Sequence, residues 1–450
     1  MSQGDASGYS GLSRDLLKTA GAQVGDMIRL EIKKETAPEE VEGLLMPRFE
    51  TERDDYVVVK LKTGYNVGVR VDASSRITVL GKGAQPHFTR PALPARSTGL
   101  PEVSIISTGG TIASKVDYRT GAVKPALDAE DLYSVVPELA EVAEIDAKIL
   151  FSVFSENIGP QIWPAVAESV VEQVRKGANG VVIAHGTDTL GYTAAALSFA
   201  LRDLPVPVVL VGSQRSSDRP SSDAATNLLA STTIAGHAPF AEVVVAMHDW
   251  VSDERIAVHR GTKVRKCHTS RRDAFRSVNS SPVAYYNLVQ RTLQLNTENY
   301  VRRRERSDWT PRFQFDPNVA LIKFHPGISV GIIDWATSTG YKGIILEGTG
   351  LGHVGETLYP ALERAVKEGI VVAMTSQCIW GRVHMDVYSA GRDLQRIGVL
   401  PLGDMLPETA LVKMMWAFGQ EKDPNAVTQI MLTNVANEFS ERRPLEALMD

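Results

Sequence analysis

The chain is poor in cysteine, with only Cys267 and Cys378 among its 450 residues. This excludes a framework of several disulfides and fits a reducing compartment. No apolar run approaches the roughly 20 residues that a membrane-spanning helix requires. The polar N-terminus, "MSQGDASGYSGLSRD", lacks the apolar core of a signal peptide. We therefore expect a cytoplasmic protein with no membrane contact.

The chain also carries little net charge, -5 at pH 7, so the whole chain gives no reason to expect nucleic-acid binding. Hydrophobic residues make up 43% and charged residues 22%, which is typical of a globular protein. A length of 450 residues exceeds that of one typical domain. The composition therefore predicts two or three compact units.

The order of sequence patterns predicts five segments. Residues 1–20 are rich in Ser and Gly and are expected to be a flexible lead-in. Residues 21–82 contain five short β-branched segments separated by turn residues, which predict a small β-barrel. Prolines disfavour regular structure in 83–100, a predicted linker. Strands and helices then alternate through a lobe at 101–317 and a smaller C-terminal lobe at 318–450.

The pattern after the linker predicts an α/β fold. Apolar strands such as "EVSIIST" and "GVVIAHG" alternate with helical stretches such as "DAATNLLASTTIAG". Val and Ile runs without polar alternation are typical of a parallel sheet that is buried on both faces, so we expect a doubly wound parallel sheet. Ligands of such sheets bind beyond the carboxyl ends of the strands, near a topological switch point. The polar turns at those ends are therefore the candidate site.

One of these turns, "STGGTIAS", places two glycines directly before Thr111. The chain has no G-x-x-x-x-G-K-[ST] motif, and no G-x-x-G follows these glycines, so neither nucleotide-binding pattern is met. The backbone N–H groups of Gly109 and Gly110 stay candidates for an anion nest or an oxyanion hole. The alternative is that the turn presents Thr111 as a nucleophile, which requires an adjacent base.

Two further motifs supply the charged groups that such a nucleophile needs. "HGTDT" brings Thr187 and Asp188 to the end of the next clear strand, and "VRKCHTS" contains Lys266. Each motif alone has a simpler explanation, because Thr after a strand commonly forms turns, Asp commonly caps helices, and a Lys beside Arg265 is commonly solvated. Only their combination indicates a hydrolase site.

Six motifs of the chain, in this order, resemble the landmarks of the bacterial-type L-asparaginases. They are "STGGTIAS", "AHGTDTLGYTAAALSF", "VGSQRSSDRPSSDAATNL", "KCHTSRRDAFRSVNSSPVAY", "LEGTGLGHV" and "SQCIWGRV". The resemblance spans about Glu102 to Leu411 and implies a two-lobed asparaginase-type α/β unit. A small β-barrel before that unit is similar to the D subunits of archaeal glutamyl-tRNA(Gln) amidotransferases, an asparaginase-like family.

The resemblance implies roles for individual residues. Thr111 matches the acyl-accepting nucleophile of the family, Thr187 and Asp188 match its second threonine and acidic neighbour, and Lys266 matches its catalytic lysine. Which of these groups activates which threonine is left open. Asparaginase sites also borrow an acidic residue from a neighbouring subunit, for which Asp386 is the candidate. The implied substrate-binding residues are Ser155, Glu156, Tyr118 and Gly110.

The resemblance also implies a function. The chain would be the glutaminase and ammonia donor of a tRNA-dependent amidotransferase that converts Glu-tRNA(Gln) to Gln-tRNA(Gln). The E subunit would bind the tRNA and use ATP and Mg²⁺, in a heterotetramer of two D and two E subunits that contains a D homodimer. Glutamine or asparagine would donate the amide. We expect no cofactor in this chain and, without H-E-x-x-H or C-x-x-C, no metal.

Three alternatives stay open. A free-standing L-asparaginase would leave the predicted barrel without a role, and a cysteine glutaminase is disfavoured because neither cysteine lies in a Gly-flanked turn. The third is an RNA- or partner-binding module with a vestigial hydrolase site. Its basis is either the predicted barrel or the segment from Arg260 to Arg306, which has twelve Lys or Arg and three acidic residues, a local charge of +9. The simpler interpretation of that segment is a solvated or subunit-facing surface.

Overall fold

The computed structural model describes most of the chain. The described residues are 8–33, 38–48, 55–62, 66–82, 99–110, 112, 114–116, 123–125, 132–133, 135–216, 221–305 and 309–440. Thr111 and Tyr118, predicted as nucleophile and substrate-binding residue, lie outside them. None of the helices in the described ranges combines the length and apolarity needed to cross a membrane.

The N-terminal part contains one helix and an antiparallel sheet of five strands. The elements are α1 (Gly11–Thr19), β1 (Asp26–Lys33), β2 (Pro38–Leu45), β3 (Tyr56–Lys60), β4 (Asn66–Arg70) and β5 (Arg76–Lys82). These strands confirm the five predicted ones, in the order β4-β3-β2-β1-β5. Among the described strands no ladder joins β4 to β5, so closure of the barrel stays a prediction.

For residues 8–20, the part of the predicted lead-in that the structure describes, the helix α1 corrects the expectation of flexibility. Leu17 is fully buried against the sheet. The Tyr9 hydroxyl donates to the Met46 carbonyl oxygen (2.9 Å) and accepts from the Val58 amide (3.0 Å), and burial raises the pKa of Tyr9 to about 12. The prediction relied on the high average content of Ser and Gly and did not consider single side chains such as Tyr9 and Leu17. These side chains anchor the segment to the sheet.

The larger N-terminal lobe contains twelve strands and three α-helices within the described residues. Its strands are β6 (Glu102–Ser107), β7 (Ser114–Val116), β8 (Val123–Pro125), β9 (Glu144–Ile149), β10 (Gly180–Ala184), β11 (Val208–Val211), β12 (Val243–His248), β13 (Arg255–Arg260), β14 (Val264–Lys266), β15 (Phe275–Ser277), β16 (Ala284–Asn287) and β17 (Thr292–Leu295). Its helices are α2 (Trp163–Lys176), α3 (Leu190–Ala200) and α4 (Ala224–His237). Helix α2 ends at Gly177, whose φ of +119° suits a residue without a Cβ.

The main sheet of this lobe has eight strands in the order β17-β16-β13-β12-β11-β10-β6-β9. The strands from β12 to β9 are parallel, which confirms the predicted doubly wound sheet, and β13, β16 and β17 extend it in antiparallel fashion. Helices α2 and α3 cover one face and α4 covers the other. Because β9 and β10 lie on opposite sides of β6, the topological switch point is between β6 and β10.

The C-terminal lobe is a second, smaller α/β layer. Its elements are β18 (Val319–Lys323), α5 (Gly331–Ser338), β19 (Gly343–Gly348), α6 (Tyr359–Lys367), β20 (Val371–Ser376), α7 (Ser389–Ile397), β21 (Leu400–Pro401), α8 (Pro407–Gln420) and α9 (Pro424–Leu432). The four strands are parallel, in sequence order. Helix α8 packs against α3 of the other lobe, with the rings of Phe199 and Trp416 stacked at 5.8 Å.

A buried ion pair fixes the segment that follows α9. Lys413 Nζ lies 2.5 Å from Glu438 Oε1, and both side chains are fully buried. The Glu438 carboxylate also accepts from the amides of Val435 (3.0 Å) and Ala436 (2.6 Å), while Lys413 Nζ donates to the Met431 carbonyl oxygen (3.1 Å). Burial lowers the pKa of Lys413, so its charged form depends on the carboxylate.

Replacing Glu438 should destabilise the C-terminal lobe because Lys413 would lose its buried counter-charge. We expect Glu438→Ala to lower the free energy of unfolding by about 3–5 kcal/mol. Urea denaturation followed by circular dichroism measures this loss. The control, Glu421→Ala at an exposed position, should change the free energy by no more than about 0.5 kcal/mol. Equal losses in both variants would contradict the assigned role of the pair.

Candidate active site

The candidate site lies at the switch point, where the turn after β6 meets the turn after β10. Gly109 and Gly110 have φ angles of +122° and +79°, in the left-handed region that favours glycine. A Cβ on Gly110 would lie 2.9 Å from the amide nitrogen of Gly186, and one on Gly109 would lie 2.1 Å from the Val153 carbonyl oxygen. Only glycine therefore allows the two turns to approach this closely, directly before Thr111.

Three predicted catalytic residues meet at this point. Lys266 Nζ lies 2.9 Å from Thr187 Oγ1 and 2.7 Å from Asp188 Oδ1. The Lys266 side chain is only 15% exposed, whereas that of Asp188 is 70% exposed. The carboxylate of Asp188 binds Lys266, and the N-cap position of α3 belongs to Thr189, so Asp188 is not simply a helix cap. The arrangement holds an amine against a hydroxyl, as proton transfer requires.

Ser155 also lies at this site. It is buried in a single 3₁₀ turn, Ser155–Asn157, and its carbonyl oxygen accepts a hydrogen bond of 2.5 Å from Thr189 Oγ1. A Cβ on Gly186 would lie 2.8 Å from the Cβ of Ser155, so the two turns are in contact. The neighbouring Glu156 is exposed. Sequence reasoning missed Thr189, although it belongs to the same "HGTDT" motif.

A buried hydrogen-bond chain supports the "HGTDT" turn from behind. Trp163 Nε1 donates to Thr193 Oγ1 (3.2 Å), Thr193 Oγ1 lies 2.9 Å from His185 Nε2, and His185 Nδ1 lies 2.7 Å from the Gly186 carbonyl oxygen. Because a carbonyl oxygen only accepts, Nδ1 carries the proton and Nε2 accepts from Thr193. This is the neutral imidazole, and burial lowers the pKa of His185 to about 4.

A second polar cluster holds the turn after β11 against Thr187. The Asp223 carboxylate accepts from the amides of Gln214 (3.0 Å) and Arg215 (2.9 Å), and Asn227 Nδ2 donates to the Gly212 carbonyl oxygen (3.0 Å). A Cβ on Gly212 would lie 2.7 Å from Thr187 Cγ2. The predicted motif "VGSQRSSDRPSSD" thus contributes packing behind the site.

The fold neutralises most of the basic segment from Arg260 to Arg306. Eleven of its twelve cations lie within the described residues, and nine of these form ion pairs with carboxylates. The pairs are Arg260–Glu242, Lys263–Asp404, Arg265–Glu408, Lys266–Asp188, Arg271–Asp273, Arg272–Asp253, Arg276–Asp273, Arg291–Glu141 and Arg304–Asp203. Arg303 instead donates to four backbone carbonyl oxygens. These contacts disfavour a surface dedicated to tRNA phosphates.

Within the described residues, none of the other candidate groups hydrogen-bonds to Thr187, Asp188 or Lys266. Cys267 and Cys378 form no disulfide and are exposed. Desolvation by neighbouring protein atoms raises the pKa of the Cys267 thiol, which disfavours a thiolate nucleophile. Asp386 Oδ1 accepts from Gln395 Nε2 (2.9 Å) on α7. In the described part of the chain, no group of three or more His, Cys, Asp or Glu side chains is arranged to hold a metal ion.

Comparison with known families divides the chain into three matches. The model described as "Asparaginase, N-terminal" matches residues 102–300, and "Glutaminase/Asparaginase C-terminal domain" matches 318–431. The model "GatD N-terminal domain" matches 22–80.

Relatives that match nearly the full length of the chain are named as the D subunit of glutamyl-tRNA(Gln) amidotransferase. The protein of Metallosphaera sedula is 50% identical over 98% of both chains, and that of Pyrococcus abyssi is 50% identical over 95% of this chain and 97% of its own. Among solved structures, the L-asparaginase of Thermococcus kodakarensis is 32% identical with a TM-score of 0.67. It covers 76% of this chain and 100% of its own.

Acid should destabilise the protein through His185. Its pKa of about 4 in the folded state lies below the ordinary 6.5, so the unfolded chain takes up the proton first. The stabilising contribution is complete above pH 6.5 and is lost as the pH falls towards 4, by roughly 3 kcal/mol in all. We expect the melting temperature to fall across this range and His185→Gln to flatten the slope.

The control for this experiment is His237→Gln, because His237 is exposed at the end of α4. This variant should keep the wild-type slope between pH 6.5 and 4. An unchanged slope in His185→Gln would show that the buried imidazole is not the source of the acid sensitivity.

Proposed function

Because the chain belongs to the family of glutamyl-tRNA(Gln) amidotransferase D subunits, we propose that it is the glutaminase component of a tRNA-dependent amidotransferase. It hydrolyses the side-chain amide of glutamine and donates the ammonia for conversion of Glu-tRNA(Gln) to Gln-tRNA(Gln). The observation that carries this proposal is the contact of Lys266 with both Thr187 and Asp188, at the switch point beside the glycine turn.

In the proposed reaction the Thr111 hydroxyl attacks the amide carbon, and its proton passes to a base. The Lys266 amine, held by Asp188 and hydrogen-bonded to Thr187, is the candidate for that role. The backbone N–H of Gly110 stabilises the oxyanion. The C–N bond then breaks, the nitrogen takes up a proton and leaves as ammonia, and an ester to Thr111 stays behind. Water attacks this ester, releasing glutamate and regenerating the hydroxyl.

Substrate binding follows from the same turns. We assign Ser155 and Glu156 to the amino-acid end of the substrate, because the 3₁₀ turn that carries them touches Gly186. Tyr118 is assigned to substrate binding on its resemblance to the family's tyrosine. Gly110 lines the floor beside the reacting carbonyl group. Either glutamine or asparagine carries the amide that this site accepts.

The wider assembly is part of the proposal. The E subunit binds the tRNA and uses ATP with Mg²⁺, whereas this chain needs no cofactor. Two D and two E subunits form a heterotetramer in the cytoplasm, and the D homodimer contributes an acidic residue, for which Asp386 is the candidate, to the neighbouring site. Nine cations of the basic segment are already paired with carboxylates. This supports tRNA binding chiefly through the E subunit.

A free-standing L-asparaginase is the alternative enzyme. It would use the same lysine, threonine and aspartate, but it leaves the N-terminal sheet of β1 to β5 without a role. That sheet lies largely within residues 22–80, which match the "GatD N-terminal domain" model and neither asparaginase model. The amidotransferase proposal accounts for both parts.

Removal of the nucleophile or the base should abolish ammonia release while the fold survives. We expect Thr111→Val and Lys266→Met each to lower kcat for glutamine hydrolysis by about 10⁴-fold or more. A coupled assay for ammonia measures the loss, and circular dichroism confirms the fold. Matched controls are Thr233→Val on α4 and Lys148→Met in a surface ion pair, which should keep wild-type rates. Residual activity near the wild-type level in either site variant would disprove its assignment.

The complex itself provides the test of the amidotransferase role. The chain is assayed for glutamine and asparagine hydrolysis alone, and then with the E subunit, Glu-tRNA(Gln), ATP and Mg²⁺. We expect the addition to raise glutamine hydrolysis and amide nitrogen from labelled glutamine to appear in Gln-tRNA(Gln). High asparagine turnover by the chain alone, unaffected by the complex, would instead identify a free-standing asparaginase.

A further inference from the structure

The catalytic lysine is held differently from its two partners. Thr187 and Asp188 follow β10, an interior strand of the eight-stranded sheet. Lys266 lies on β14, which pairs only with β15 in a separate two-stranded hairpin within the described strands. The ladder of the main sheet therefore fixes Thr187 and Asp188 directly, whereas the place of Lys266 depends on what packs against its hairpin.

The C-terminal lobe contacts the residues just before Lys266. Lys263 Nζ lies 2.7 Å from Asp404 Oδ2, with both side chains buried. Thr409 Oγ1 donates to the Thr262 carbonyl oxygen (2.9 Å), and Thr262 Oγ1 donates to the Ala436 carbonyl oxygen (3.0 Å). The entry to the hairpin is thus tied to the start of α8 and to the segment after α9.

A further contact between the lobes, the ion pair of Arg265 with Glu408, lies one residue before Lys266. Arg265 Nε lies 3.0 Å from Glu408 Oε1, and the two side chains are 28% and 18% exposed. Successive residues of a strand point to opposite faces, so Arg265 reaches α8 while Lys266 reaches Thr187. Glu408 is in the first turn of α8, where the helix N-terminus stabilises a carboxylate.

We propose that Glu408 is a positioning residue for Lys266. Through Arg265 it holds β14 at the distance at which the amine meets both Thr187 and Asp188, so the C-terminal lobe sets the geometry of the catalytic amine. This inference rests on the proposed role of Lys266. It extends that role because it makes a residue of one lobe responsible for the base of a site built on the other.

Other charged groups surround the Arg265–Glu408 pair. Glu347 on β19 faces both partners, and Lys323 on β18 lies 3.7 Å from Glu347. Burial raises the pKa of Glu347, and it raises the pKa of Tyr192 on α3, which also faces the pair, to about 12. Loss of either charge of the Arg265–Glu408 pair therefore changes the electrostatic field at the β14–β15 hairpin as well as the position of the hairpin.

The test compares Glu408→Gln, Arg265→Gln and the double variant in glutamine hydrolysis. A displacement of about 1 Å at a reacting group lowers the rate by about 10²-fold, so we expect each single variant to lower kcat by about that factor. KM should change less than twofold, because Ser155 and Glu156 lie on other elements. Since the two residues act as one unit, the double variant should lose no more than either single variant.

The split between kcat and KM separates this role from a merely structural one. A variant that is partly unfolded loses activity in proportion to the folded fraction that circular dichroism measures. A displaced amine instead lowers kcat in protein that stays fully folded and leaves KM within about twofold of the wild type.

The controls make the outcome unambiguous. Glu363→Gln removes a carboxylate paired with Lys367 on α6 and should change neither kcat nor KM. Additive losses in the double variant, or wild-type kinetics in Glu408→Gln, would overturn the inference. If Lys266→Met is inactive in the same assay, the proposed function survives that result. An active Lys266→Met would instead overturn the role of the lysine itself.

Discussion

The whole site depends on one steric constraint, the contact between the glycine turns after β6 and β10. Gly110 approaches the backbone of Gly186 so closely that a single Cβ would collide with it. The parallel order of β9, β6 and β10 creates the crevice, and the missing side chains allow the two turns to meet there. Thr187, Asp188 and the buried Ser155 follow or flank these turns. A strand order without a switch point here would separate them.

Much of the sheet and of the candidate site could be predicted, because both depend on short sequence patterns. Apolar runs predicted the parallel strands. The motifs "HGTDT" and "VRKCHTS" predicted that Thr187, Asp188 and Lys266 belong to one site. What local patterns lack is information about distant partners. The helix Gly11–Thr19 escaped notice because its few buried side chains find their contacts only across the sheet. The imidazole of His185 likewise derives its role from Thr193 and Trp163, on two different helices.

The basic segment shows most clearly why charge counted along a sequence differs from charge in a fold. From Arg260 to Arg306 the chain carries +9, yet its partners come from residues as distant as Glu141 and Glu408. A cation paired with a carboxylate offers little to a phosphate, because binding would require exchange of one anion for another. The segment serves instead to fasten loops around the sheet, and Arg303 does so by donating to four backbone carbonyl oxygens.

The same ion pairs explain why the two lobes act as one unit. Lys263–Asp404 joins them through buried charges, and such a pair is costly to separate because each partner would be left buried without its counter-charge. A shift of the C-terminal lobe would therefore carry the hairpin with it rather than break the contact. Since Thr187 stays with the main sheet, any such shift acts first on the distance between the amine and the hydroxyl. The lobe boundary thus controls the distance between Lys266 Nζ and Thr187 Oγ1, on which the proposed proton transfer depends.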